Sequence, residues 1–193
     1  MMPWRGVRRR LPWLAVALIL TAAAIGHAQE PAHPGRQTID ATTPEARAIW
    51  ARRVTAMIHS GELKLREHRR LADGSGRDEW FTQMHKGVPI EGAEVWRRTT
   101  TGGVLALEGV VFTDVAINPV PKLTRAEVLA ALGVLEPGTL GPSLPPALVV
   151  LPTADGAYAL VYKSRMLVNG ELTTYFVDAT TGQVVVKETA PRP

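Results

Sequence analysis

The 193-residue chain contains no cysteine. That excludes disulfide staples, thiol catalysis and cysteine zinc sites. Neither H-E-x-x-H nor G-x-S-x-G occurs, and no Gly-rich phosphate loop precedes a helix. The sequence signatures of zinc peptidases, serine hydrolases and phosphate-loop enzymes are therefore absent. Aromatic residues are sparse, at 6%. Acidic residues are missing from the first 28 positions. Nor is there an apolar run long enough for a membrane span: Leu11 to Ile25 falls short of the roughly 20 residues required.

What is present at the N-terminus is a basic stretch with Arg5, Arg8, Arg9 and Arg10, then that apolar run, then Gly26-His27-Ala28. This order predicts a signal peptide over residues 1–28 and a secreted or periplasmic chain with no stable membrane span after cleavage. The Arg8-Arg9 pair leaves both the general and the twin-arginine export routes open. Four of the 22 Lys and Arg residues lie in this segment and none of the 18 acids does. The remainder is formally neutral, so the basic pI of about 9.8 points to no nucleic-acid partner.

Residues 29–42 are rich in Pro, Gly and small polar residues and read as a flexible leader. Thr43-Pro44-Glu45 is a helix start, and Ala46, Trp50, Val54, Met57 and Ile58 recur at helical spacing up to Gly61. From Glu62 the period becomes two, with turn signals at Asp73-Gly74-Ser75-Gly76, Lys86-Gly87 and Thr101-Gly102-Gly103. A first unit is expected over 43–115, a proline-containing linker over 116–122 and a second unit over 123–188. The second begins with the capping box Thr124-Arg125-Ala126-Glu127 and a helix through Leu132, stopped by Gly133. A Pro/Gly loop from Leu135 to Pro146 follows. Strands are expected from Ala147 to Leu151, Ala157 to Val168, Glu171 to Val177 and Gln183 to Lys187. Asn169-Gly170 marks a tight hairpin. Glu188 onward reads as unstructured, with 189–193 as a disordered tail. The expected fold class is α+β: two small units, each a helix on an antiparallel meander.

Chemistry-bearing clusters are few. His33, His59, His68 and His85 share no metal-ligand spacing and read as solvated. Ser60, Ser75, Ser143 and Ser164 have no His or Asp beside them. Lys64, Arg66, His68 and Arg70 would share one strand face, as a solvated face or a patch for an acidic partner or membrane headgroups. Trp80, Phe81 and Trp96 read as core, with ligand stacking as the alternative. Asp78, Glu79, Glu91 and Glu94 make the opening hairpin acidic.

The segment FTQMHKGVPIEGAEVW, residues 81–96, crowds Gly87, Pro89 and Gly92 into a strand. Gln83, then Gly87-Val88-Pro89-Ile90-Glu91-Gly92-Ala93-Glu94, with Gly102-Gly103-Val104 and Gly109 later, resembles the fungalysin/thermolysin propeptide (FTP) domain over residues 63–109. One departure is Asp78-Glu79-Trp80, where that family often has a His before the aromatic strand. Residues 123–187 are similar to a PepSY domain through Leu123-Thr124-Arg125-Ala126-Glu127, Tyr158-Ala159-Leu160-Val161-Tyr162 and Tyr175 to Val184, with Asp178 and Gly182 in the closing motif. The resemblance implies a secreted pro-region, an inhibitor and folding chaperone of a thermolysin-like zinc metallopeptidase acting in cis or in trans. It implies no catalytic residues, metal or cofactor in this chain, with zinc and calcium belonging to the partner peptidase. A free-standing peptide- or protein-binding module is the alternative. Gln83, Gly87, Val88, Pro89, Ile90, Gly92, Ala93, Glu94, Asp178 and Gly182 are the candidate contact residues.

Overall fold

The computed structural model describes residues 33–135 and 144–189; the expected signal peptide lies outside them. In chain order the elements are β1 (Arg36–Ile39), α1 (Pro44–His59), β2 (Leu63–Arg70), β3 (Gly76–His85), β4 (Val88–Thr100) and β5 (Gly103–Phe112). They continue as α2 (Arg125–Leu135), β6 (Leu144–Pro152), β7 (Tyr158–Val168), β8 (Glu171–Asp178) and β9 (Val184–Thr189). Among the described residues no helix is long and apolar enough to cross a membrane.

The start of α1 follows its local chemistry. Thr43 is extended, and its hydroxyl accepts the Ala46 N–H at 3.1 Å, with Pro44 at the head of the helix. Val54 and Met57 point inward and meet Phe81, Val95, Leu107 and Val111 of the sheet, with Ile39 and Leu63 closing the cluster. The capping box of α2 also forms. The Thr124 N–H donates to Glu127 Oε2 at 2.7 Å, and the Glu127 N–H donates back to Thr124 Oγ1 at 3.3 Å. Val128 and Leu132 then pack on Ile90, Ala93, Val150, Tyr162 and Tyr175.

The protein is mixed α+β, but its strands form one nine-stranded sheet rather than two separate meanders. The order runs β1-β5-β4-β6-β7-β8-β9, with β3 also on β4 and β2 outside β3. Neighbours are antiparallel except β4 and β6, which meet in parallel at Ile90 and Val150. The two-unit expectation missed this join because a parallel partner comes from far along the chain and leaves no turn signal.

Four local expectations need correction. The stretch read as leader contains β1, whose Arg36–Ile39 pairs with Phe112–Gly109 of β5; its signal is weak because only Ile39 is buried. Helix α2 runs through Gly133 to Leu135, since a glycine costs a helix about 1 kcal/mol and packing outweighs it. Strand β6 begins at Leu144, so Pro145 and Pro146 lie in a strand rather than a loop. The ladder is irregular there, between Leu144 and Ala147, where a missing N–H is tolerated. Strand β9 extends to Thr189, taking in two residues expected to be unstructured.

Candidate functional site

Strand β4 turns a corner inside the motif. Thr82 of β3 faces Glu94 of β4, yet Met84 faces Pro89. One residue, Gln83, thus stands opposite the stretch 90–93, a bulge far larger than the usual single extra residue. Gly92 sits in it at φ +72°, in the left-handed region, with open space around the site of a Cβ. The opposite strand carries the close approach. At Gly109 (φ +142°) an added Cβ would lie 2.2 Å from the Glu94 carbonyl oxygen. Gly92 therefore supplies backbone conformation, and Gly109 supplies clearance.

By bending away, β4 stops pairing with β5 at Val95 and Gly109, and leaves the end of β5 without a neighbour on that side. Gln83 fills the place. Its Oε1 accepts the Phe112 N–H at 2.7 Å, and its Nε2 donates to the Phe112 carbonyl at 2.8 Å. The same Nε2 donates to Glu62 Oε1 at 3.0 Å. One buried amide side chain thus does for Phe112 what a strand backbone would do.

Beside this corner lies a cleft of about 480 Å³, walled by the end of α1, the β3–β4 hairpin and the chain leaving β5. Gln83 and Ile90 line it, and Lys86 and Gly87 form the two-residue turn at its rim, both at positive φ. Asp114, another lining residue, holds φ 58°, uncommon away from glycine. The His85 ring is anchored by its Nε2, 2.9 Å from the Ile117 carbonyl oxygen.

The candidate residues divide accordingly. Gln83, Gly87 and Ile90 meet at the cleft. Val88 and Pro89 are half-buried at the start of β4, and Ala93 is buried in the core under α2. Glu94 is exposed and paired with Arg66, and Glu91 reaches Lys163 of β7. Asp178 and Gly182 are not brought to the corner; they build the β8–β9 turn. There Asp178 Oδ1 accepts the Thr181 and Thr180 N–H groups at 2.7 and 2.8 Å. Burial opposes charge on Asp178, but these hydrogen bonds prevail and hold its carboxyl below the ordinary value. Sequence reasoning missed Glu62, Phe112 and Asp114. Only their distance along the chain from Gln83 separates them from the motif, and no local pattern encodes it.

Three of the four hairpin acids pair with arginines, Glu91 with Lys163 being the exception. Asp78 is buried and accepts a fork from Arg98 at 2.7 and 2.9 Å, with Arg69 at 3.7 Å. Hydrogen bonds from Arg98, helped by the attraction of Arg98 and Arg69 and opposed by burial, hold its carboxyl below the usual range. Glu79, on the opposite face, accepts from Arg77 and Arg97. Among the described residues no group of three or more His, Asp or Glu could hold a metal ion. His33, read as solvated, is instead buried: its Nε2 lies 2.9 Å from the Ala157 carbonyl oxygen and its Nδ1 accepts the Gly35 N–H.

No family model matches the sequence, and no curated protein matches it significantly. Among solved structures, the chain is similar to the Bacillus megaterium YpeB C-terminal domain. The two are 16% identical with a TM-score of 0.41, over 73% of this chain. The match spans 63% of that domain's length. The resemblance to FTP and PepSY domains rests on the motif residues.

Proposed function

We propose that this chain is an extracytoplasmic, non-catalytic binding module that docks on a thermolysin-like zinc peptidase, supporting its folding and holding it latent. The corner at Gln83 carries this reading. The residues that resemble the propeptide motif build a bend with an open cleft and an exposed hairpin tip, anchored in the core by Ile90 and Ala93. Among the described residues the outer edge of β2 has no strand partner, and such an edge accepts an extended segment of a partner. In this reading zinc and calcium belong to the peptidase.

The test is hydrolysis of a peptide substrate by a thermolysin-like enzyme with increasing amounts of the purified protein. Inhibition without casein cleavage by the protein itself supports the reading. Unchanged hydrolysis by the cognate enzyme at large excess of the protein rejects inhibition in trans. The second reading, a binding module without a peptidase partner, shares the cleft. It is favoured if the protein reproducibly recovers another ligand from the periplasm or medium and no peptidase.

A further inference from the structure

Residues alternate across a strand, so the neighbours of Phe81 and Val95, which face α1, point to the other side of the sheet. There Trp80 and Trp96 stand directly opposite each other on β3 and β4. Both are half-buried rather than enclosed, so the core reading holds for Phe81 alone. Around them Arg69, Asp78, Arg98 and Glu108 complete a shallow depression of about 480 Å³ spanning β2 to β5. The Arg98 guanidinium lies 5.2 Å from the Trp96 ring centre and is fixed by its fork to Asp78. Arg69 lies 5.5 Å from the Trp80 ring, is 70% exposed, and is held to Asp78 only at 3.7 Å.

We infer that this depression is a binding site for a neutral oligosaccharide. Two adjacent indoles offer apolar surface to the C–H faces of sugar rings; both are already half-buried, so each contributes only the exposed share of the roughly 150–250 Å² that a whole aromatic side chain buries. The charges are balanced, two arginines against two acids, so neither a polyanion nor a polycation is favoured. The polar groups also present donors and acceptors side by side, the combination that vicinal hydroxyls satisfy. A proline-rich peptide, which presents mainly carbonyl acceptors, would leave the Glu108 carboxylate without a donor. Arg69 swings aside to free the Trp80 face and then donates to a ring hydroxyl. Arg98, fixed by Asp78, stays over one face of Trp96 and leaves the remaining exposed surface of that half-buried indole to the sugar.

The site is independent of the peptidase reading, so either can fail alone. The test is titration of the purified protein, in a Trp50→Phe background, with cellohexaose, N-acetylated chitohexaose and xylohexaose. Binding is followed by tryptophan emission and calorimetry, with polygalacturonate and poly-glutamate as charged controls. At least one neutral hexasaccharide is expected to bind saturably. Loss of one stacking surface, by Trp80→Ala or Trp96→Ala, should weaken it about tenfold or more. Trp96→Phe, which keeps an aromatic face, should retain most of the affinity even if the alanine variants fold poorly. No binding of any neutral hexasaccharide at millimolar concentration overturns the inference. So does preferential binding of either polyanion, or unchanged affinity in alanine variants that melt normally.

Discussion

Replacing Gln83 with leucine tests the corner directly. The two side chains are similar in size, so packing around the site is largely kept. What is lost is the partner of two buried backbone groups, the Phe112 N–H and carbonyl. Each such orphan costs about 1–3 kcal/mol. Burying the apolar leucine in place of the amide offsets roughly 1 kcal/mol. The expected net loss is about 3 kcal/mol, which for a chain of this size lowers Tm by roughly 6–12 °C. That is a large share of the 5–15 kcal/mol typical of a folded protein, yet it leaves the variant folded at room temperature for comparison. Urea melts followed by circular dichroism read the loss. Gln83→Glu supplies a second arm. At neutral pH its carboxylate faces the Phe112 carbonyl and Glu62, so it should be less stable than Gln83→Leu, with the deficit shrinking as acid restores a donor. A loss below about 1 kcal/mol for Gln83→Leu would refute the idea that this amide stands in for a strand.

The remaining expectations concern backbone and charge. Gly109→Ala should destabilise more than Gly92→Ala in thermal melts, because the first meets the Glu94 carbonyl oxygen and the second meets only an unfavourable φ; equal melts would remove the distinction. Gly92→Val should cost about 1–2 kcal/mol, against less than about 0.5 for Lys64→Ala, an exposed site. Equal losses and equal peptidase inhibition would show that the bend has no special role. Asp78 has a folded-state pKa below its unfolded value of about 3.9. Its contribution is therefore complete above that value and is lost as pH falls through the folded pKa. Asp78→Asn should flatten the acid limb of the stability profile below about pH 4, and an unchanged limb would assign acid sensitivity elsewhere.

Much of the fold was legible because its signals are local. Thr43, the Thr124–Glu127 box and Asn169-Gly170 each act within a few residues, and each forms as the sequence implied. Non-local features were not legible. The four residues of β1 have no period of their own and exist because β5 offers an edge. Pro145 and Pro146 read as loop because proline usually ends a ladder, and here they sit at its irregularity. At the candidate site, the glycines and proline of β4 announced a bend. Its direction, and the strut from Gln83 to Phe112 that holds it, depend on residues 29 positions apart.

The sharing of β4 among β3, β5 and β6 also has a bearing on the order of assembly. As the chain emerges from the ribosome, β2 to β5 can pair by short hairpins, where closure is quick. β6 then needs an edge in parallel across all of β5 and α2, a slow closure that waits for the first hairpins. The early strands would serve as a seed crystal for the later ones. Damage at the corner would accordingly delay the far end of the sheet, β9 included, although no side chain there is touched.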